Sequence, residues 1–287
     1  LSSQCPPISS IYIASTDKVP LSLCFIGGLA LNINFIECSY RCSFCPWEAN
    51  LDLRSANVVT PDFEQLKLVI QKYKPDLLFL NGGDFWRFEF IDSFIEKVLG
   101  FDILKGLKIV SPNQYYKFID KMMNILEFFD VVLIEVNIFS DIFIACSIVE
   151  RFIRSKHFEI VVVSNNLDNV ENKVKELVNR LTESSIYIPI NLLVQYFDEL
   201  KLYTFIDSIR TVYPLIYTSE ARTSEHSSIL CPRCRNPVVV KQGDQLLKIS
   251  LDNYCRCKYC GFKVISSDRN LCIARRIFKI PIRIPIA

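Results

Sequence analysis

From about residue 63 to residue 212 the chain repeats one pattern, a short apolar run followed by an amphipathic stretch. The runs Asp76–Leu80, Leu107–Ser111, Val131–Val136, Phe158–Val163 and Ile186–Ile190 are too short for buried helices and predict strands. Helical periodicity fills the intervals. A helix capped by Thr60, with Pro61 as its first residue, is followed by Ile91–Leu99, Gln114–Phe128, Phe143–Ser155, Val170–Leu181 and Asp198–Val212. A further apolar strand ends just before Cys38, which makes six units. Strands that alternate with helices pair in parallel through right-handed crossovers, so the expected fold class is α/β. Six units are too few to close an eight-stranded barrel.

Half of the 287 residues are hydrophobic, enough for a large core. The most apolar stretch, Val131–Ile153, contains Glu135, Asp141 and Glu150, whereas a spanning helix needs about 20 nearly uninterrupted apolar residues. With no signal-peptide pattern, a cytoplasmic protein outside the membrane is expected. The chain begins at Leu1, which leaves a fragment and an alternative start both open.

Without a secretory signature, the twelve cysteines point to metal ligation rather than to disulfides. Seven fall into two ligand-spaced sets. Cys38, Cys42 and Cys45 form C-x3-C-x2-C, and Cys231, Cys234, Cys257 and Cys260 form two C-x2-C pairs. Three thiolates hold three irons of a [4Fe–4S] cube and leave the fourth open to a small molecule, whereas an electron-transfer ferredoxin closes all four corners with cysteine. The paired knuckles suit a closed structural zinc site. A second iron site is the alternative, because thiolates alone do not separate zinc from iron. Of the others, Cys146 reads as a core residue and Cys255 as a competitor of Cys257 for the metal. Cys5, Cys24 and Cys272 carry no readable role.

C-x3-C-x2-C just after a short apolar strand resembles the signature of radical S-adenosylmethionine (radical SAM) enzymes. The resemblance implies a partial (β/α)6 barrel with a [4Fe–4S] cluster on Cys38, Cys42 and Cys45. It implies S-adenosylmethionine chelated by the open iron and cleaved by one electron to a 5′-deoxyadenosyl radical. Cofactor contacts follow from the same resemblance. Asn81-Gly82-Gly83-Asp84 is similar to the family's Gly-Gly-Glu motif, with Asp84 in place of glutamate; glycines let the backbone approach a ligand closely. The competing reading is an Asn-Gly turn. Ser111-Pro112-Asn113 resembles the Thr-Asn-Gly of glycyl-radical activating enzymes without its glycine, and a turn with a helix start explains it equally well. Glu135 and Asn137 match an Asp-Leu-Lys segment that here lacks the lysine. Alternatively, Glu135 is a strand-end carboxylate paired with an Arg or Lys. Ser164, Asn165, Asn166 and Asn191 are candidates by position only. Phe44 and Trp47 flank the cluster motif as shields or core aromatics, and Arg41 lies inside it. His157 and His226 are isolated and expected at the surface.

The polar run Thr218–Ser228 divides the chain into a barrel (1–217), a linker (218–228) and a four-cysteine, zinc-ribbon-like domain with a basic tail (229–287). From Ile229 to Ala287 there are twelve Lys/Arg and three Asp/Glu, a balance of +9; the remainder has 21 against 28, or −7. Strands are expected at Val238–Val240 and Leu246–Leu251, and the alternation of Ile280 to Ile286 with Pro281, Arg283 and Pro285 predicts an edge strand. A barrel followed by Cys-Pro-x-Cys…Cys-x-Tyr-Cys-Gly looks most like AmmeMemoRadiSam-type radical SAM proteins, relatives of the pyruvate formate-lyase activating enzyme. That resemblance implies an electron donor such as ferredoxin or flavodoxin, and a protein substrate in the activating branch. Two other classes stay open: an RNA-modifying enzyme that binds RNA through the basic ribbon, and a non-catalytic iron–sulfur or zinc protein.

Overall fold

The computed structural model describes residues 6–36, 38, 40, 42, 58–113, 115–243, 245–268, 271 and 284–285. Cys45, and with it Arg41, Phe44, Trp47, Cys5 and Cys272, lies outside the described residues.

Strands and helices alternate in the order β1 (Ile8–Ser15), β2 (Leu29–Phe35), α1 (Phe63–Tyr73), β3 (Leu77–Asn81), α2 (Ile91–Leu99), β4 (Leu104–Val110), α3 (Ile119–Leu126), β5 (Val131–Val136), α4 (Ile142–Phe152), β6 (His157–Ser164), α5 (Glu171–Glu183), β7 (Ile190–Val194), α6 (Glu199–Arg210) and β8 (Ile216–Tyr217). Then come α7 (Ser224–Ser227), β9 (Ile229–Leu230), β10 (Pro237–Gln242), β11 (Gln245–Ile249) and β12 (Ile284–Pro285). From β2 to β8 every strand pairs in parallel with the next one in sequence. β1 lies antiparallel on β2, and β12 antiparallel on β1 as the edge. Pro285 sits on that edge strand, where a missing N–H costs no ladder bond.

This topology decides where the helices go. The strand order never reverses, so right-handed crossovers place each helix on the same face of the sheet. The helices bury their apolar stripes in one core with Ile33, Leu80, Ile109, Ile134 and Val162. The opposite, inner face carries Ala30, Phe79, Leu133 and Val161, and it is covered by Val19, Leu21, Cys24 and Phe25 from the β1–β2 connection. The Glu159 carboxylate on this face holds the connection down, accepting the backbone N–H groups of Ser22 at 2.6 Å and Leu23 at 2.8 Å. The C-terminal ends of the strands are therefore the end left for a site.

Several expectations are corrected. The parallel strands number seven rather than six, because β8 extends the sheet, and an antiparallel β1 joins them at the β2 edge. The sixth strand runs over Ile190–Val194 rather than Ile186–Ile190. Pro189 has no N–H to give, and the Ile188 N–H goes to the Tyr213 hydroxyl at 2.9 Å, so the ladder starts only at Ile190. The first helix is capped by Asp62, whose carboxylate accepts from the backbone of Glu64 and Gln65, and not by Thr60. α3 starts at Ile119 rather than at Gln114. Both histidines are buried. His157 Nε2 lies 3.0 Å from Glu159, its neighbour two residues along the same strand face. His226 stacks on Tyr203 with ring centroids 4.2 Å apart.

The stretch 218–228 is held tightly. The Arg210 guanidinium, buried at the end of α6, donates to the carbonyls of Ile216 (3.0 Å), Glu225 (2.9 Å) and Ser228 (2.7 Å). Beyond it, β9, β10 and β11 form a three-stranded antiparallel sheet whose Val238 and Val239 join the main core. Among the described residues, no helix is long and apolar enough to cross a membrane.

Candidate functional site

The C-terminal ends of β2 to β5 bring together Cys38, Cys42, Gly83, Asp84, Ser111, Glu135 and Asn137. Cys42 is buried and Cys38 half-buried. Gly83 is packed directly on Cys38: a Cβ there would lie 2.4 Å from the Cys38 Cβ and 2.7 Å from its sulfur. At Gly82 a Cβ would meet that of Phe35 at 2.9 Å. Contacts under 3 Å are untenable, so the sequence must be glycine at both positions for the turn after β3 to reach the cysteine loop. The two glycines thus let the backbone after β3 pack directly on Phe35 and Cys38. Burial pushes the Cys38 thiol up to about 11, against a backbone hydrogen bond at Tyr40 that lowers it; Asp84 and Glu135 add to the rise and Lys108 opposes it.

Asn137 follows β5 and is fully buried. Its Oδ1 accepts the Phe139 N–H at 2.9 Å, which fixes the amide so that Nδ2 faces the Cys42 sulfur at 3.7 Å. Glu135 pairs with Lys108 across β4 and β5 at 2.7 Å, both side chains being nearly inaccessible. This matches the alternative in which Glu135 is a paired strand-end carboxylate.

Asp84 is fully buried beneath an aromatic group. The Tyr116 hydroxyl donates to it at 3.3 Å, Arg87 lies 3.8 Å away, and the Trp86 indole N–H donates to the Tyr116 oxygen. Tyr40 stacks on Tyr116 with centroids 6.3 Å apart. Burial raises both phenols, and Asp84 raises them further. Sequence reasoning missed Tyr40, Tyr116, Trp86 and Lys108. A lysine inside the apolar run Leu107–Ser111 was the available signal for the last.

Other candidates are engaged locally. Asn81 is the exception, buried with its Oδ1 unpartnered among the described residues. Ser111 donates its hydroxyl to the Asp141 carbonyl at 3.3 Å. The Asn113 side chain accepts the Tyr115 N–H at 3.0 Å and closes a turn. Ser164 bonds the Asn166 carbonyl, and Asn191 exchanges two hydrogen bonds with Ser219.

The second cysteine set is assembled by two knuckles of one design. In the first, the Cys231 N–H bonds the Asn236 carbonyl and the Arg235 N–H the Cys231 carbonyl; in the second, Cys257 bonds Phe262 and Gly261 bonds Cys257. The fifth residue of each knuckle is left-handed, Arg235 at φ 62° and Gly261 at φ 72°. The sulfurs of Cys231 and Cys260, and of Cys234 and Cys257, lie 3.6 Å apart, with all four within 4.8 Å. A tetrahedron with bonds of ~2.3 Å sets its sulfurs ~3.8 Å apart, so the donor set fits one tetrahedral ion. Burial pushes the Cys231 thiol up to about 12. At Cys234 burial also raises the thiol, but hydrogen bonds from Asn236 and the neighbouring sulfurs outweigh it and bring it down to about 6. Cys255 is disulfide-bonded and stands outside the set, which corrects both its expected rivalry with Cys257 and the expectation of no disulfides.

No family model and no curated protein matches the chain. Among solved structures, the crystal structure of QueE from Escherichia coli is similar over 61% of this chain and 90% of that chain, with a TM-score of 0.35 and 14% identity. A likeness that distant carries no argument, and the function rests on the residues.

Proposed function

We propose that this chain is a radical S-adenosylmethionine enzyme whose cluster is held by Cys38, Cys42 and Cys45. The observation that carries the reading is the packing of Gly83 on Cys38 at the C-terminal end of a parallel β/α sheet, where reactive groups of such folds gather. The cysteine motif would supply three ligands, and glycine at 82 and 83 brings backbone N–H and C=O groups close beside them.

A bound [4Fe–4S] cluster supplies one-electron cleavage of S-adenosylmethionine and, from it, hydrogen-atom abstraction from a substrate. The chain's own residues do the rest. Gly82 and Gly83, with Asn81 beside them, would receive the cofactor's polar groups; Asp84, Ser111, Asn113 and the Lys108–Glu135 pair support the same strand ends from beneath. Lys108 neutralises Glu135, so the interior next to Cys38 carries an ion pair and not a lone charge. Tyr116, with Tyr40 stacked on it, would shield Asp84 from water. Asn137 donates toward the Cys42 sulfur. The four ribbon cysteines hold structural zinc, an external donor such as ferredoxin or flavodoxin supplies the electron, and a partner protein is the substrate class in the activating-enzyme reading.

Anaerobic reconstitution followed by electron paramagnetic resonance of the reduced protein tests this. The proposal expects a cluster signal that changes on adding S-adenosylmethionine and is absent in Cys42→Ala. A loaded cluster whose spectrum ignores S-adenosylmethionine would move the chain to the non-catalytic iron–sulfur class.

A further inference from the structure

The two knuckles also present side chains to solvent. Arg233 lies between the ligands of the first, Lys258 and Tyr259 between those of the second, and all three are exposed. Tyr259 is 51% and Tyr254 62% accessible, so neither ring contributes much to the core. The end of β11 is tied to the second knuckle: the Lys258 N–H bonds the Ser250 carbonyl at 2.9 Å, and Lys248 Nζ and the Ser250 hydroxyl each lie 3.4 Å from the Tyr259 hydroxyl. In the adjoining turn the Asp252 carboxylate accepts the N–H groups of Tyr254 and Arg256 at 2.8 Å each. Both bonds go to Oδ1, and Arg256 stands exposed beside this turn.

We propose that this face, Lys248, Tyr254, Arg256, Lys258 and Tyr259, binds single-stranded nucleic acid. Cations interleaved with exposed aromatic rings suit a strand whose phosphates and unstacked bases are both available, whereas a duplex hides its base faces. An acidic protein would use the cations and leave the two rings without a role. The +9 balance of residues 229–287 against −7 for the rest includes Lys248, Arg256 and Lys258 of this face and favours a polyanion there over the acidic remainder. Because Lys258 and Tyr259 are fixed between two metal ligands, the surface depends on the ion in the ribbon's four-cysteine site. The inference stands independently of chemistry at Cys38.

The test is fluorescence anisotropy of full-length, metal-loaded protein with a labelled 12-nucleotide single-stranded RNA. An unlabelled 12-base-pair duplex and a polyglutamate peptide serve as competitors. Each phosphate contact lowers log K by about 0.7 per log unit of salt, so three contacts predict roughly a twenty-fold loss of affinity between 50 and 200 mM salt. Tyr259→Ala should weaken binding about tenfold, Tyr259→Phe should preserve it, and Lys248→Gln with Lys258→Gln should flatten the salt dependence. Unchanged metal content shows that these variants keep the ribbon. The proposal is overturned if the single strand does not bind at 50 mM salt. It is equally overturned if the duplex competes as well as the single strand, or if polyglutamate displaces the RNA while Tyr259→Ala binds normally. The last result would assign the face to an acidic protein.

Discussion

Lys108 and Glu135 should be energetically coupled more strongly than any surface pair of this protein. They lie 2.7 Å apart on neighbouring strands with side-chain exposures of 3% and 7%. Lys108→Met removes one charge and strands the other inside the sheet. Breaking a buried pair in this way costs about 3–5 kcal/mol, and at roughly 2–4 °C per kcal/mol for a chain of this size the melting temperature should fall by about 10 °C. Glu135→Leu alone should behave similarly. The double variant should recover most of the loss, because no charge is left buried and unpaired. Denaturant unfolding of the four proteins closes a double-mutant cycle, with an expected coupling of about 2 kcal/mol or more. A coupling under about 0.5 kcal/mol would refute the reasoning, since that is the range of solvent-exposed pairs.

Three further outcomes follow from the two cysteine sets. Gly83→Ala places a Cβ 2.4 Å from that of Cys38, so the cysteine loop must move; iron bound at the first site should fall to near zero while the metal of the ribbon stays, as read by elemental analysis. Asn137→Leu removes the N–H facing the Cys42 sulfur. A hydrogen bond worth ~1 kcal/mol corresponds to ~40 mV for one electron, so a redox titration should find the cluster potential more negative by about that amount. A variant lacking Cys38, Cys42 and Cys45 should retain about one zinc and no iron per chain, and Cys257→Ser in that background should release the zinc and melt β9–β11, seen as lost amide protection.

The repeating part of the fold was legible because its signals are local. The runs at Val131–Val136 and Ile91–Leu99 mark their elements to the residue, and α4, α5 and α6 begin within a residue or two of their periodic patterns. What escaped was set by tertiary partners. β1 has few local cues and exists because β2 offers it an edge. His157 is drawn inside because Glu159, on the same face, needs filling on three sides. Asp62 outcompetes Thr60 as a cap because its carboxylate reaches two orphan N–H groups. At the site, the cysteines and glycines announced themselves by spacing. Tyr40, Tyr116 and Lys108 did not, since an aromatic or a lysine gains its role only from residues 27 to 76 positions away in sequence, which the sheet register brings alongside.

The central claim is that this chain cleaves S-adenosylmethionine reductively, and formation of 5′-deoxyadenosine tests it most directly. Anaerobically reconstituted protein, S-adenosylmethionine and a strong reductant should yield 5′-deoxyadenosine, and Cys42→Ala under the same conditions should yield none. Wild-type protein shown to hold its four irons yet forming no 5′-deoxyadenosine would contradict the account.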